Sequence, residues 1–300
     1  MNTDRPLLGV FLMLGFCVLA PMGDAMAKII GSTIPVAQLV LVRFAVQALI
    51  LLPLVWYLGM KLRLSRRAFH LTVIRTCLHI VGIGAMFTAL QFLPLADAIA
   101  IAFVMPFIML ILGKYVLNEE VGARRIIACA VGFVGTMLVI QPSFAEVGPP
   151  ALLPLLVAVV FALFMLVTRQ VAKEADPIAL QCVSGLVAVV IMLPILLITD
   201  QLDIPLLGIK TPTGKEWLLL AGIGALGTFA HLMMTWSLRF APSATLAPMQ
   251  YLEIPIATFI GWLVFRDLPN GLAAVGIVIT MAAGLYIIYR EQVTARAGRT

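Results

Sequence analysis

Charged residues are scarce in this chain of 300 residues: they make up 11% of it, whereas hydrophobic residues make up 62%. A soluble domain carries about 25% charged residues, because its surface must be hydrated. The composition therefore excludes a water-soluble enzyme, a disordered chain and a nucleic-acid-binding protein, although the net charge is +6. It indicates an integral membrane protein.

Cysteines and catalytic motifs are scarce as well. No HExxH or GxSxG motif occurs, and the three histidines are not spaced as a zinc site. The sequence thus implies no cofactor, no metal and no catalytic residue, and a membrane-embedded enzyme stays only as the alternative from another functional class. The spacing of the cysteines is not typical of disulfides or metal ligation, so we expect small buried apolar residues at Cys17, Cys77, Cys129 and Cys182.

Long apolar segments fill most of the chain. A helix needs about 20 mostly apolar residues to cross a bilayer, and the continuous runs are too long for the strands of a membrane barrel. We therefore predict an all-α membrane protein with ten transmembrane helices, over residues 7–27, 36–58, 69–91, 96–117, 123–141, 150–169, 178–199, 217–238, 244–265 and 270–289.

The positive charges are distributed unevenly between the connecting segments. With the N-terminus placed inside, most lysines and arginines fall in cytoplasmic segments, as the positive-inside rule requires. We therefore expect both termini to be cytoplasmic. The excess positive charge then lies beside anionic lipid headgroups, which makes membrane lipid its expected partner.

The chain repeats itself at an offset of 148 residues. Residues 89–96 read ALQFLPLA and residues 237–244 read SLRFAPSA. Two copies of five segments each are predicted, in residues 1–145 and 146–291, followed by a cytoplasmic tail at 292–300. Because five is odd, the second copy must enter the membrane from the opposite side. Such inverted repeats are typical of secondary transporters, whose substrate sites lie near the midplane between the halves.

A glycine motif in the eighth segment has a simpler explanation than nucleotide binding. Gly222, Gly224 and Gly227 match GxGxxG, but no strand precedes them, so the dinucleotide-binding context is missing. Small residues at this spacing predict close packing between membrane helices.

Ionisable residues inside the apolar segments are the best candidates for a site, because a charge at mid-membrane costs several kcal/mol unless it is paired or hydrated. Asp24 stands one turn before Lys28, and an ion pair between them is the structural alternative for that position. Arg75 stands one turn before His79 and shares its helix face. We predict that polar side chains line a cavity, at Asp24, Arg43, Arg75, His79, His231, Gln250, Tyr251 and Glu253.

Glu253 is the sharpest candidate in this set. It lies near the predicted midplane and precedes Pro255, which removes a backbone hydrogen bond; its counterpart in the first half is Met105. A carboxyl group buried alone tends to keep its proton, which suits a proton-coupled carrier or a hydrogen-bonding ligand of the solute. A structural ion pair with Arg75 or Arg43 is the alternative.

Ten segments in two copies resemble the EamA branch of the drug/metabolite transporter superfamily. In each half the fourth segment contains proline and ends in an acidic residue, at 116–119 and 264–267. Weaker local matches are Arg43-Phe44, residues 96–106, and Gly132 with Gly135. The resemblance covers nearly the whole chain and implies a secondary carrier of the bacterial inner membrane, with a central cavity formed by both halves.

The resemblance also suggests a solute. Residues 21–28, followed by Arg43-Phe44 and Gln47, are most similar to riboflavin-transporting members. The expected function is therefore uptake of a small organic metabolite by alternating access, with riboflavin as the first candidate and protons as a candidate coupling ion. Export of amino acids or related metabolites is the alternative.

Overall fold

The computed structural model describes residues 6–60, 62, 64–105, 107–108, 123–171, 174–200, 204, 206–240 and 250–297. Within these ranges the regular structure is helical throughout, as the apolar runs predict. The helices are α1 (Pro6–Ile30), α2 (Val36–Tyr57), α3 (Arg66–Leu90), α4 (Leu95–Ala102), α5 (Ala123–Val147), α6 (Leu153–Val171), α7 (Pro177–Thr199), α8 (Gly214–Phe240), α9 (Glu253–Phe265) and α10 (Gly271–Ala297).

Each predicted membrane segment overlaps with one of these helices. Seven of them are long and apolar enough to cross a membrane, and Glu253–Phe265 and Gly271–Tyr286 are shorter apolar helices. Residues 106 and 109–117 of the predicted fourth segment and residues 244–249 at the start of the ninth lie outside the described residues. The all-α membrane class is confirmed. For the cysteines the prediction was wrong in one case: Cys17 and Cys182 are buried, but Cys77 is exposed; the side chain of Cys129 lies outside the described part of the structure.

The largest helix contacts join the first five helices to the last five. The main pairs are α1 with α8, α2 with α7, α3 with α6 and α5 with α10, followed by α2 with α8, α1 with α9 and α4 with α9. Apolar side chains fill these contacts, among them Leu39, Phe44 and Ile254, each fully buried. The core of the molecule is therefore the interface between its two halves.

Glycines permit the closest of these approaches. A Cβ atom on Gly276 would lie 2.5 Å from the carbonyl oxygen of Gly135, so the backbones of α5 and α10 touch. In α8, a Cβ on Gly222 would meet Met26 of α1, and one on Gly224 would meet Val46 of α2. The predicted role of the GxGxxG motif in helix packing is confirmed.

Candidate functional site

A cavity of about 140 Å³ lies among helices of both halves. Most of its wall is apolar, and its lining comes from α1, α2, α3, α4, α6, α8 and the segment that leads into α9. The structure brings six of the eight predicted residues to this wall: Asp24, Arg43, His79, His231, Gln250 and Glu253. The other two, Arg75 and Tyr251, are buried behind it.

Two helices break where they reach the cavity. The α4 helix ends at Ala102, and a turn follows at Phe103 and Val104. A turn at Tyr251 and Leu252 precedes α9. Phe103 and Tyr251 are counterparts at the repeat offset of 148 residues, and their ring centroids are 5.2 Å apart. Broken helices that meet at mid-membrane are typical of transporter binding sites, because their free backbone groups face a cavity.

Glu253 is the first residue of α9 and is partly exposed to the cavity. The amino end of a helix carries partial positive charge and favours a carboxylate. Among the described residues, no ion pair joins Glu253 to Arg43 or Arg75, so the structural alternative for Glu253 is not observed. Gln250 lies on the same wall, with its Nε2 3.9 Å from Met13 Sδ.

His79 and His231 contact each other at the wall of the cavity. Their Nε2 atoms are 3.2 Å apart, and both residues are buried, at 2% and 9% exposure. His79 lies near the middle of α3 and His231 near the middle of α8. The α3 helix packs mainly on α6 and the α8 helix mainly on α1, so this side-chain contact joins two separate helix pairs.

The hydrogen bond between the histidines requires two different tautomers. A neutral imidazole has one donor and one acceptor nitrogen, so one ring donates through Nε2–H and the other accepts at Nε2. Phe164 stacks beside the pair, with its centroid 4.6 Å from that of His79. A proton on both Nε2 atoms would place two hydrogens between them and break the contact.

Arg75 is fully buried beside the histidines and is held on three sides. Its Nε donates to Thr168 Oγ1 at 2.8 Å and its Nη1 to Ser184 Oγ at 2.7 Å. The guanidinium carbon is 4.6 Å from the ring centroid of Phe164. Thr168 belongs to α6 and Ser184 to α7, so Arg75 connects α3 to two helices of the second half.

Arg43 lines the cavity and is 3% exposed. Its guanidinium carbon is 4.5 Å from the centroid of the Phe44 ring. Both Nη atoms are buried, and neither has a hydrogen-bond partner among the described residues. Asp24 lines the same cavity, but no ion pair within 4 Å joins it to Arg43 in the described part of the chain. The free guanidinium therefore has donors available for a ligand.

Tyr251 packs inside the bundle instead of lining the cavity, because its ring is enclosed between Phe103 and Gly284. A Cβ atom on Gly284 would overlap the Tyr251 hydroxyl. Residue 284 can therefore only be glycine while Tyr251 keeps this position. The structure thus assigns Tyr251 a packing role beside the site.

A network of uncharged polar residues beside the cavity was not predicted. Gln47 Nε2 donates to the backbone oxygen of Gln181 at 2.7 Å. Gln181 Nε2 in turn donates to Thr235 Oγ1 and to the backbone oxygen of His231, both at 3.2 Å. The signal in the sequence is glutamine within an apolar segment, which the search for ionisable residues passed over.

Lys28 joins the two halves near the end of α1. Its Nζ donates to the backbone oxygen of Leu93 at 2.6 Å and lies 3.6 Å from Asp267 Oδ2. The lysine therefore pairs with Asp267 instead of Asp24, which leaves the Asp24 carboxyl group free to face the cavity.

Comparison with known proteins agrees with this architecture. The model of the EamA-like transporter family matches residues 7–141 and 149–290. An S-adenosylmethionine uptake transporter from Rickettsia prowazekii is 27% identical over 92% of this chain and 90% of its own. A riboflavin transporter from Rhizobium johnstonii is 30% identical over 74% and 70%, and a pseudopaline exporter from Pseudomonas aeruginosa is 25% identical over 87% and 88%.

A solved structure has the same fold, with a TM-score of 0.63 over 98% of both chains at 17% sequence identity. The family match covers nearly the whole chain in two segments, and both the cavity and the broken helices lie within those segments. The chain therefore belongs to the EamA-like transporter family.

Proposed function

We propose that this chain is a secondary transporter that carries a small organic metabolite across the bacterial inner membrane by alternating access. The observation that carries the proposal is the cavity, which receives polar side chains from both halves at the point where α4 and α9 break. A transporter needs such a site at mid-membrane, where the solute can be released to either side when the halves move.

The predicted inverted repeat supports this mechanism. We propose residues 1–145 and 146–291 as its halves, in agreement with a two-fold pattern in the helix pairs. The α1–α8 pair corresponds to α6–α3, and the α2–α8 pair to α7–α3, while α2–α7, α4–α9 and α5–α10 each correspond to themselves. Two halves related by a two-fold axis in the membrane plane would produce this set of contacts, and rocking one against the other would expose the cavity alternately.

Riboflavin uptake is the first substrate hypothesis, from the likeness of the N-terminal segments to riboflavin carriers. S-adenosylmethionine uptake is the second, because transporters with that name match about nine-tenths of this chain. The cavity of about 140 Å³ is smaller than the roughly 300–1,000 Å³ of pockets that hold drug-sized ligands. Either solute would therefore require the helices to separate further than they do here.

Glu253 is the proposed site of proton coupling, because it is an acidic side chain on the cavity wall without an ion-pair partner among the described residues. Both termini are proposed to be cytoplasmic, from the distribution of lysine and arginine. Protease accessibility in right-side-out and inside-out vesicles tests the orientation.

The test of function is uptake of labelled riboflavin and labelled S-adenosylmethionine into vesicles that contain the purified protein, with and without a pH gradient. Saturable uptake of either solute, relative to empty vesicles, supports the transporter. Efflux of an amino-acid metabolite without uptake of either probe would show that the protein is an exporter and not an importer. Chemically altered solute after incubation would support the membrane-embedded enzyme instead.

A further inference from the structure

We propose that Arg43 binds the carboxylate of the transported solute, and that the solute is a zwitterion whose cationic group faces Asp24 and Glu253. This inference rests on the proposed transport function and specifies the chemical class of the solute. It begins from one observation: a buried guanidinium on the cavity wall has two terminal nitrogens without hydrogen-bond partners among the described residues.

The burial of Arg43 is costly, because it removes the hydration of both Nη atoms and no hydrogen bond within the described part of the chain replaces it. Arg75, on the neighbouring α3, meets most of the same requirement: its Nε and Nη1 donate to two hydroxyl groups, and Nη2 alone lacks a partner among the described residues. The described chain offers Arg43 no such partner. A ligand that enters the cavity can supply it.

The position of the guanidinium favours a planar anion. Phe44 covers it at 4.5 Å, and a Cβ atom on Gly227 would lie 2.9 Å from Nε and 3.2 Å from Nη2. Packing on these two sides limits the rotation of the head group. A carboxylate is planar and accepts two parallel hydrogen bonds from a guanidinium, so it matches a head group that is fixed in this way.

The other charges on the wall restrict the solute further. Among the described residues of the lining, Asp24 and Glu253 are the acidic ones and Arg43 is the one arginine or lysine. A purely anionic solute would meet two acidic side chains in a medium of low dielectric constant. A solute with an ammonium or other cationic group next to its carboxylate would place one charge opposite each kind of residue. Riboflavin has no carboxylate, so the inference favours an amino-carboxylate over a flavin.

The experiment uses matched probes that differ in one group. The first set is L-methionine, L-methioninamide and the amine-free analogue of methionine; the second is S-adenosylmethionine and its decarboxylated form. Binding of each probe to the purified full-length protein is measured by thermal stabilisation, and uptake is measured in vesicles. The variants are Arg43→Met and Arg43→Lys, with Arg239→Met as the control, because Arg239 is a half-exposed cation outside the cavity.

In the wild-type protein we expect the acid of at least one set to bind about tenfold or more tightly than its carboxylate-free partner. Arg43→Met should abolish that preference, Arg43→Lys should restore part of it, and Arg239→Met should retain it. The amine-free analogue should bind more weakly than methionine where methionine binds. Melting of each variant without ligand shows whether it is folded.

Three results would overturn the inference: equal binding of acid and amide in the wild type, an acid preference that survives in Arg43→Met, or no stabilisation by any carboxylate probe. Saturable riboflavin uptake with any of these results would leave the transporter in place and remove only the carboxylate site. Carboxylate-dependent binding without flux of any probe would instead retain the site and contradict the transport function.

Discussion

Arg43 and Arg75 are two buried arginines on neighbouring helices, and they differ in what holds them. Arg75 is fully buried, donates through Nε and Nη1 to hydroxyl groups of α6 and α7, and stacks on Phe164; only its Nη2 lacks a hydrogen-bond partner among the described residues. Arg43 stacks on Phe44, faces the cavity and leaves both Nη atoms unpaired among the described residues. Because both arginines lie in apolar segments, the sequence alone made them equal candidates for the cavity lining.

The difference shows how a membrane protein uses a buried arginine, whose burial costs free energy, in two ways. A buried charge with hydrogen-bond partners holds helices in place, and removal of it leaves the partners without their donor. A buried charge without hydrogen-bond partners adds little to the stability of the fold, and at Arg43 the proposed carboxylate of the solute would supply the missing partner. The comparison can be tested by changes to each arginine and to the residues around them.

The largest effect on stability is expected from Arg75→Met. The change removes two charge-assisted hydrogen bonds between halves of the molecule, so the free energy of unfolding should fall by about 2 kcal/mol. Arg43→Met should leave it unchanged or raise it, because an unpaired buried charge is removed. Thermal melting of the purified proteins measures both. Equal destabilisation by the two changes would contradict the distinction between the arginines.

The next largest effect concerns Glu253, which shares the cavity wall with Arg43. Glu253→Gln keeps the size of the side chain but cannot release a proton, so the protein should insert normally and lose transport about tenfold or lose its pH dependence. Uptake is measured from about pH 5.5 to 8. Glu146→Gln is the matched control, because Glu146 is exposed outside the cavity. Wild-type flux across that range would reduce Glu253 to a packing residue.

Substitutions in the histidine pair should have a smaller effect, on the stability of the fold. His79→Phe or His231→Phe removes the partner of Nε2 in the remaining imidazole, whose Nδ1 already has none among the described residues, at a cost of about 1 kcal/mol each. The double variant His79→Phe/His231→Phe should be less destabilised than the sum of the two, because no unpaired nitrogen remains. Additive effects would show that the 3.2 Å contact does not stabilise the fold.

Lys28→Met should have the smallest effect. The lysine is one member of an ion pair with a half-exposed Asp267, and such pairs contribute between about 0 and 1 kcal/mol. We expect a melting temperature close to that of the wild type and an unchanged preference for acid over amide probes. A loss of that preference would extend the site to the end of α1.

Much of the fold was predictable because a bilayer leaves few alternatives. A run of about 20 apolar residues can satisfy its backbone hydrogen bonds in lipid only as a helix or a closed barrel. The helices around Leu39 and Ile254 therefore followed from composition and length. The breaks at Phe103 and Tyr251 were only partly predictable. Pro255 indicated a break near the start of α9, but no residue pattern specified its exact position.

The sequence predicted which residues belong to the candidate site better than it predicted the role of each residue. Ionisable residues are rare in apolar segments, so a search for them found Arg43, His79 and Glu253 without a structure. The same search could not separate Arg43 from Arg75, because the hydroxyl groups that bind Arg75 lie 93 and 109 residues away in sequence. It also missed Gln47 and Gln181, since a buried amide resembles any other polar residue in a sequence.

The amino-acid sequence by itself determined that this chain is a helical membrane protein, because the length and composition of apolar segments are local properties. Tertiary structure decided which polar residues share a cavity and which of them have hydrogen-bond partners, because those properties depend on distances between α2, α3 and α8. A hydrogen bond forms only within about 3 Å, and no pattern along a single helix specifies where a residue from another helix will lie.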